Sequence, residues 1–216
     1  MINAVIFGLD GVICSTDEYH YRSWKAIADG EGIYFDRTIN NQLRGISRTD
    51  SLDVILKRSE KIYTPEEKAV LADKKNAIYT SFLEKITPAD CPDSVKETIS
   101  WLKKQGIKVG LSSCSTNTKY ILQKLQIENI FDTIVDGNEI KEVEPDPELF
   151  LLASEKLGID INKTIVVEDS FPGIQAAKKG KYLAIGIGEG ADYYQTDYPI
   201  ENIREIIDIV TKLNQD

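Results

Sequence analysis

Short apolar runs alternate along this chain with longer helical patterns, and that alternation restricts it to an α/β fold with a parallel sheet. The strand-like runs are Ala4–Phe7, Ile107–Leu111, Thr133–Val135, Thr164–Val167 and Leu183–Ile187. Between them, "TNTKYILQKLQI" gathers Tyr120, Ile121, Leu122 and Leu125 on one face, and "DPELFLLASEKLGI" opens on Asp146 as cap with Pro147 in its first turn and stops at Gly158. The last helix carries a stripe of Ile203, Ile206, Ile207, Val210 and Leu213.

One long segment breaks the rule. From about Ser15 to Lys85 there is no convincing strand but three helical patterns: "DEYHYRSWKAIADG", "RTDSLDVILKRSE" and "PEEKAVLADKKNAIYTSFLEKI". A helical block inserted after the first strand reads as a cap over the carboxyl end of the sheet, where open α/β sheets bind ligands. The expected organisation is a discontinuous core of residues 1–14 and 87–216 and an all-helical cap of residues 15–86. The alternative is a helical subdomain packed elsewhere for stability.

Three strand ends carry the candidate chemistry. The first delivers the chain to "GLDGVI", with one carboxylate, Asp10, and a glycine two residues before it. The second runs into "SSCSTN", where backbone N–H groups and the hydroxyls of Ser113 and Ser115 can cradle a phosphate at a helix start. Capping by Ser115 or Thr116 alone would account for one hydroxyl but not the run. The fourth ends in Glu168-Asp169-Ser170, adjacent carboxylates that repel unless a hard cation or donors hold them. An acidic pair also commonly begins a helix.

Charge limits the partners. With 26 basic and 35 acidic residues the net charge is −9, which argues against nucleic acid and anionic membrane surfaces. Cys14, Cys91 and Cys114 form no CxxC pair and read as free thiols in a reducing compartment. No apolar stretch approaches membrane-spanning length. A cytoplasmic, soluble protein is expected.

Taken in order, "GLDGVI", "GLSSCS", "EPDP" and "VVEDSFPGI" resemble the four motifs of the haloacid dehalogenase superfamily. Within it, "TDEYHYRSWKAIA", "LRGISRTDSLDVIL", "DKKNAIY" and "ITPAD" resemble the β-phosphoglucomutase family. The resemblance spans nearly the whole chain and weakens after about Gly180. It implies a Rossmann-like core with a helical cap, an Mg²⁺ cofactor, a small phosphorylated sugar as ligand, and a monomer.

Residue by residue, the resemblance makes Asp10 the general acid/base and, through its backbone carbonyl, a metal ligand beside Glu168 and Asp169. Ser113 and the Cys114 N–H match the cradle for the transferring phosphoryl group. Arg48, with Ser115 and Asn117, matches the grip on the non-reacting phosphate, where an arginine fork suits the anion. Read without the motif, Arg48 is a solvated charge beside Asp50. His20, the chain's single histidine, and Lys75 match residues that orient the sugar, although a lone helical histidine is as often structural. Thr16 and Gly45 match a hinge position and a close-approach glycine.

The departures fall on the catalytic motifs. Gly8 occupies the position of the nucleophilic aspartate and can neither accept a phosphoryl group nor bind metal. Asp10, two residues along a turning loop, is poorly placed to attack in its stead. Glu144 stands where the family has a lysine, with Lys141 the nearest basic residue. Losing one carboxylate and reversing one lysine makes the site one unit more negative. Ser15 and Thr116 also depart from a usual aspartate and lysine. The chain as written is expected to be an impaired phosphosugar mutase interconverting β-glucose 1-phosphate and glucose 6-phosphate. The alternatives are a non-catalytic sugar-phosphate binder and a phosphosugar phosphatase.

Overall fold

Residues 1–215 are described in a computed structural model. Six strands form one sheet: β1 (Ala4–Phe7), β2 (Lys108–Ser112), β3 (Thr133–Val135), β4 (Thr164–Glu168), β5 (Leu183–Ile187) and β6 (Tyr198–Ile200). Their spatial order is β3-β2-β1-β4-β5-β6, and every pairing is parallel. β1 lies between β2 and β4, with Phe7 opposite Leu111 on one side and Val167 on the other. Chain order reverses across β1, which opens a crevice at the carboxyl ends of the strands.

Side chains of β1 alternate between the two faces of the sheet. Val5 and Phe7 pack with apolar residues of α5 (Asp93–Lys104), α6 (Thr118–Leu125) and α9 (Glu205–Gln215). Ala4 and Ile6 face Phe150 and Ala153 of α7 (Glu148–Leu157) and Ile174 and Ala177 of α8 (Phe171–Lys179). Burial on both faces accounts for the continuous apolar spelling of β1.

Residues 15–86 contribute four helices, α1 (Asp17–Gly30), α2 (Arg37–Asn41), α3 (Arg48–Leu56) and α4 (Pro65–Leu83), and no strand. They enclose their own apolar cluster around Trp24, Ile27, Phe35, Leu52 and Ile55. α4 starts at a capping box, in which Thr64 and Glu67 satisfy each other's backbone N–H groups and Pro65 takes the first turn. Its far end belongs to the other core: Tyr79 and Leu83 pack with Phe7 and Leu9. That helix therefore ties the helical block to the sheet. Among the described residues no helix is long and apolar enough to cross a membrane.

The five strand-like runs of the sequence all become strands, with bounds shifted by one residue in β2 and β4. α2, α5 and β6 are not among the elements read from the sequence. α2 has only five residues, too few to show a period. β6 contains Pro199, which lacks the N–H that a central strand needs, but β6 is an edge strand where proline is tolerated. α7 is capped one residue later than expected: Pro147 takes the cap position, and the Asp146 carboxylate accepts the Glu148 N–H at 2.9 Å. In α9, Ile206 and Val210 are buried while Ile207 is only partly so.

Gly186 of β5 lets the 3-10 turn Gly188–Asp192 fold back over the strand ends, where Gly190 N–H donates to Asp169 O at 2.7 Å. A β-carbon at Gly186 would overlap the carbonyl of Gly190, whereas one at Gly30 would meet nothing within 4 Å. Gly186→Ala is expected to lower unfolding stability by about 2–3 kcal/mol. Gly30→Ala should leave it unchanged or raise it by up to about 1 kcal/mol. Urea denaturation of the two variants checks the contrast.

Candidate active site

The loop after β1 carries Asp10 to the mouth of the crevice. Thr16, at the start of α1, caps no helical N–H with its side chain. Instead its N–H and hydroxyl both donate to Asp10 Oδ1, at 2.8 and 2.6 Å. The same hydroxyl lies 2.8 Å from the Tyr79 hydroxyl of α4. Asp10 is thus clamped to the first residue of the helical block. Burial raises its pKa and the Thr16 hydrogen bonds pull it back.

Three further carboxylates converge here. Glu168 and Asp169 end β4, and Glu144 precedes α7, joined to Pro145 by a cis peptide. Glu168 Oε2 accepts from Asp169 N–H (3.1 Å) and the Ser170 hydroxyl (3.2 Å). Its other oxygen, Oε1, lies where a β-carbon at Gly8 would sit. A side chain at position 8 would therefore require the Glu168 carboxylate to shift. Glu144 accepts the Cys114 thiol at 3.7 Å, and its Oε2 would be 2.8 Å from a β-carbon at Gly45. Gly45, at φ +73°, is where the loop before α3 passes closest to the core acids.

The dominant electrostatic feature is mutual repulsion among buried carboxylates. Burial raises Glu168 and Asp169, and each acid is raised further by a neighbouring carboxylate, Glu144 for Glu168 and Glu168 for Asp169. Glu144 is pushed up to about 7 by burial and then by Asp169. The counter-charge is Arg44, whose guanidinium reaches Asp169 (2.8 Å), Asp17 (2.5 Å) and Glu189 (3.4 Å). Lys141 is exposed and, among the described residues, its side chain pairs with no carboxylate; only its backbone N–H is engaged, by Glu148.

The other side of the crevice carries neutral polar and basic side chains. Arg48 donates to Thr116 at 2.8 Å rather than to Asp50, whose carboxylate binds the Ser47 hydroxyl. Asn117 donates to Asn76 of α4 at 3.1 Å. Ser113 and Ser115 hydroxyls accept from the N–H groups of Ser115 and Asn117, while no protein acceptor takes the Cys114 N–H among the described residues. His20 lies against the Tyr79 ring, with centroids 4.2 Å apart, and faces Lys75 at 3.0 Å. Burial, then the positive charges of Lys75 and Arg48, hold His20 well below its usual pKa, in the neutral form.

Asp10, His20, Gly45, Arg48, Lys75, Ser113, Cys114, Ser115, Asn117, Glu144, Glu168 and Asp169 all line one cleft of about 620 Å³. Gly8 and Thr16 lie behind its wall, touching Glu168 and Asp10. Sequence reading missed Arg44 and Tyr79, since their partners are far away in the chain. It also missed Ser112, whose buried hydroxyl has no protein partner.

A hard cation would find oxygen donors whose repulsion it relieves: the Glu168 and Asp169 carboxylates and the Asp10 backbone carbonyl. Two of these donors are carboxylates, and among the described residues no group of three Asp, Glu, His or Cys side chains is placed to hold a metal ion.

The sheet carries acids at the ends of β1 and β4 and hydroxyls at the end of β2, and the chain belongs to the haloacid dehalogenase-like hydrolase family, whose model residues 2–181 match. More closely, it is 38% identical over 207 residues to the β-phosphoglucomutase of Bacillus subtilis, covering 95% of this chain and 92% of that one. It superposes on the crystal structure of a Clostridium difficile β-phosphoglucomutase with a TM-score of 0.92 at 35% identity, covering 100% and 98% of the two chains. It is also 27% identical over 183 residues to a fructose-1-phosphate phosphatase of Escherichia coli, covering 85% and 95%.

The Glu144 shift carries a sign. A carboxylate whose folded pKa stands above its unfolded value favours folding at low pH and loses that contribution as pH rises through about 7. In metal-free buffer, Glu144→Gln is expected to match the parent near pH 5 and to exceed it by on the order of 2 kcal/mol at pH 8. Thermal or urea unfolding at the two pH values checks this.

Proposed function

We propose that this protein is a β-phosphoglucomutase-type phosphosugar protein whose cleft still takes a phosphorylated sugar but whose covalent phosphoryl transfer is disabled. The observation that carries the proposal is the Glu168 carboxylate standing in the space of a side chain at position 8. No acceptor carboxylate is left there, and the oxygen in its place belongs to an acid tied to the backbone of Asp169.

In this reading the helical block is a cap, and Thr16 and Gly45 are points where it meets the core. Arg48, Ser115 and Asn117 hold the distal phosphate, as a bidentate cation and neutral donors suit. Ser113 and the Cys114 N–H receive the phosphoryl group near the core. His20 and Lys75 orient the sugar. Asp10 is the proton carrier: with a raised pKa and two hydrogen bonds from Thr16, it can give a proton to a sugar oxygen and take one back. Mg²⁺ held by Glu168, Asp169 and the Asp10 carbonyl would neutralise phosphoryl oxygens. Glu144 works against all of this by placing a carboxylate where the site needs positive charge.

A sugar-phosphate binder without turnover is the same structure under another use, favoured by the intact Arg48–Thr116 and Asn117–Asn76 contacts across the cleft. A phosphosugar phosphatase would need the same missing acceptor.

Gly8→Asp alone must displace Glu168 and adds a carboxylate to a crowded acidic site, so it is expected to remain nearly inactive. Gly8→Asp with Glu144→Lys restores both acceptor and counter-charge. The pair should raise conversion of β-glucose 1-phosphate to glucose 6-phosphate by about 10³-fold over the parent. A coupled assay with Mg²⁺ and a catalytic amount of glucose 1,6-bisphosphate reads the rate. A double variant with neither mutase nor phosphatase activity would contradict the substrate assignment.

A further inference from the structure

Lys75 is only 3% exposed, yet no carboxylate pairs with it among the described residues. Its partners are a neutral imidazole and two aromatic faces. Nζ lies 3.0 Å from His20 Nδ1, 4.9 Å from the centre of Trp24 and 4.4 Å from the centre of Tyr79. Arg48, on α3, adds a second positive charge on the same cleft. The two ring faces attract a cation, but burial without a paired carboxylate, with Arg48 beside it, outweighs them and lowers the Lys75 pKa.

We propose that Lys75 is a carbonyl-reactive amine, and that it captures the open-chain aldehyde of an aldose phosphate as a reversible imine within the cleft. A desolvated lysine beside another cation is a recognised way to make a nucleophilic amine near neutral pH. In the tautomer with the proton on Nε2, His20 Nδ1 accepts one N–H from the amine, which leaves the nitrogen lone pair free to attack. The lone pair forms the C–N bond while the carbonyl π electrons move to oxygen, which takes a proton. The resulting carbinolamine then loses that oxygen as water, together with the second of the two protons first carried by nitrogen, and the C=N bond closes. No oxidant, reductant or cofactor enters the balance.

The ligand class rests on the reading of the cleft as a phosphosugar site. An aldose phosphate has both handles the cleft offers: a phosphate for Arg48, Ser115 and Asn117, and an aldehyde in its open-chain form. A sugar 1-phosphate, locked as an acetal, has only the first. The step needs neither Gly8 nor Glu144, and so it is independent of the lost phosphoryl acceptor.

The groups facing Lys75 set the pH at which it reacts. His20 and Trp24 lie on α1, Arg48 on α3, Tyr79 on α4 itself, and Asp10, whose charge opposes the shift, on the loop after β1. Burial first and Arg48 second lower Lys75 to about 7. An exposed lysine stays near 10.4.

The test uses the full chain and pyridoxal 5′-phosphate, a phosphorylated aldehyde, with cyanoborohydride reduction and peptide mass analysis. Lys75 should be modified roughly a hundredfold faster than surface lysines at pH 7.5, with a rate that rises through about pH 7. Lys75→Arg should lose the imine absorbance, and the peptide map of the parent protein identifies the site without relying on that variant. Glucose 6-phosphate should slow the labelling and form its own reducible adduct on Lys75, and glucose 1-phosphate should slow it without an adduct. If calorimetry shows glucose 6-phosphate binding but Lys75 labels no faster than surface lysines, the imine proposal is overturned and the phosphosugar reading stands. Labelling of Lys75 that neither sugar phosphate slows overturns the aldose-phosphate assignment together with that reading.

Discussion

Four carboxylates, Asp10, Glu144, Glu168 and Asp169, share one cleft, and their repulsion is the constraint around which the rest of the site is arranged. Each is held by something other than a lysine: Thr16 for Asp10, the Cys114 thiol for Glu144, the Asp169 and Ser170 donors for Glu168, and Arg44 for Asp169. Arg44 comes from the helical block, and the acid it grips comes from the sheet. The charge balance of the core is therefore completed across the cleft. Weakening that pairing would leave the acids to be protonated or to take up a cation.

The two sides of the cleft differ in the charge they carry. In the proposed reading, Gly8 and Glu144 on the phosphoryl side remove what covalent transfer needs, and the Glu168 carboxylate crowds the place of a side chain at position 8. On the sugar side, Arg48, Asn117, His20 and Lys75 keep contacts that join the helical block to the core or order its own helices. The two sets hardly share atoms. Binding and orientation can persist where bond-making has been lost, since positioning and electrostatic preorganisation are separable contributions to catalysis.

Most of the fold was legible because its signals are local. β1 is a continuous apolar run buried on both faces, and α4 announces itself through Thr64, Pro65 and Glu67. α2 and β6 were not legible, the first for its length and the second for Pro199. In the site, the residues at strand ends could be read from motif order. Arg44 could not: its partner Asp169 lies 125 positions away, and nothing in its own stretch, between Leu43 and Gly45, points to an acid on the sheet. The position of Glu168 was hidden for the same reason, because a glycine says that a side chain is missing but not what fills the gap.

The central claim is that sugar-phosphate recognition survives without a phosphoryl acceptor. Mass spectrometry of the protein mixed with glucose 1,6-bisphosphate and Mg²⁺, recorded first under native conditions and then after denaturation, reads both halves at once. The account predicts an intact bisphosphate complex that dissociates on denaturation to leave the unmodified chain. A denatured chain that retains a phosphoryl group would contradict it, and so would a native spectrum with no complex at millimolar ligand.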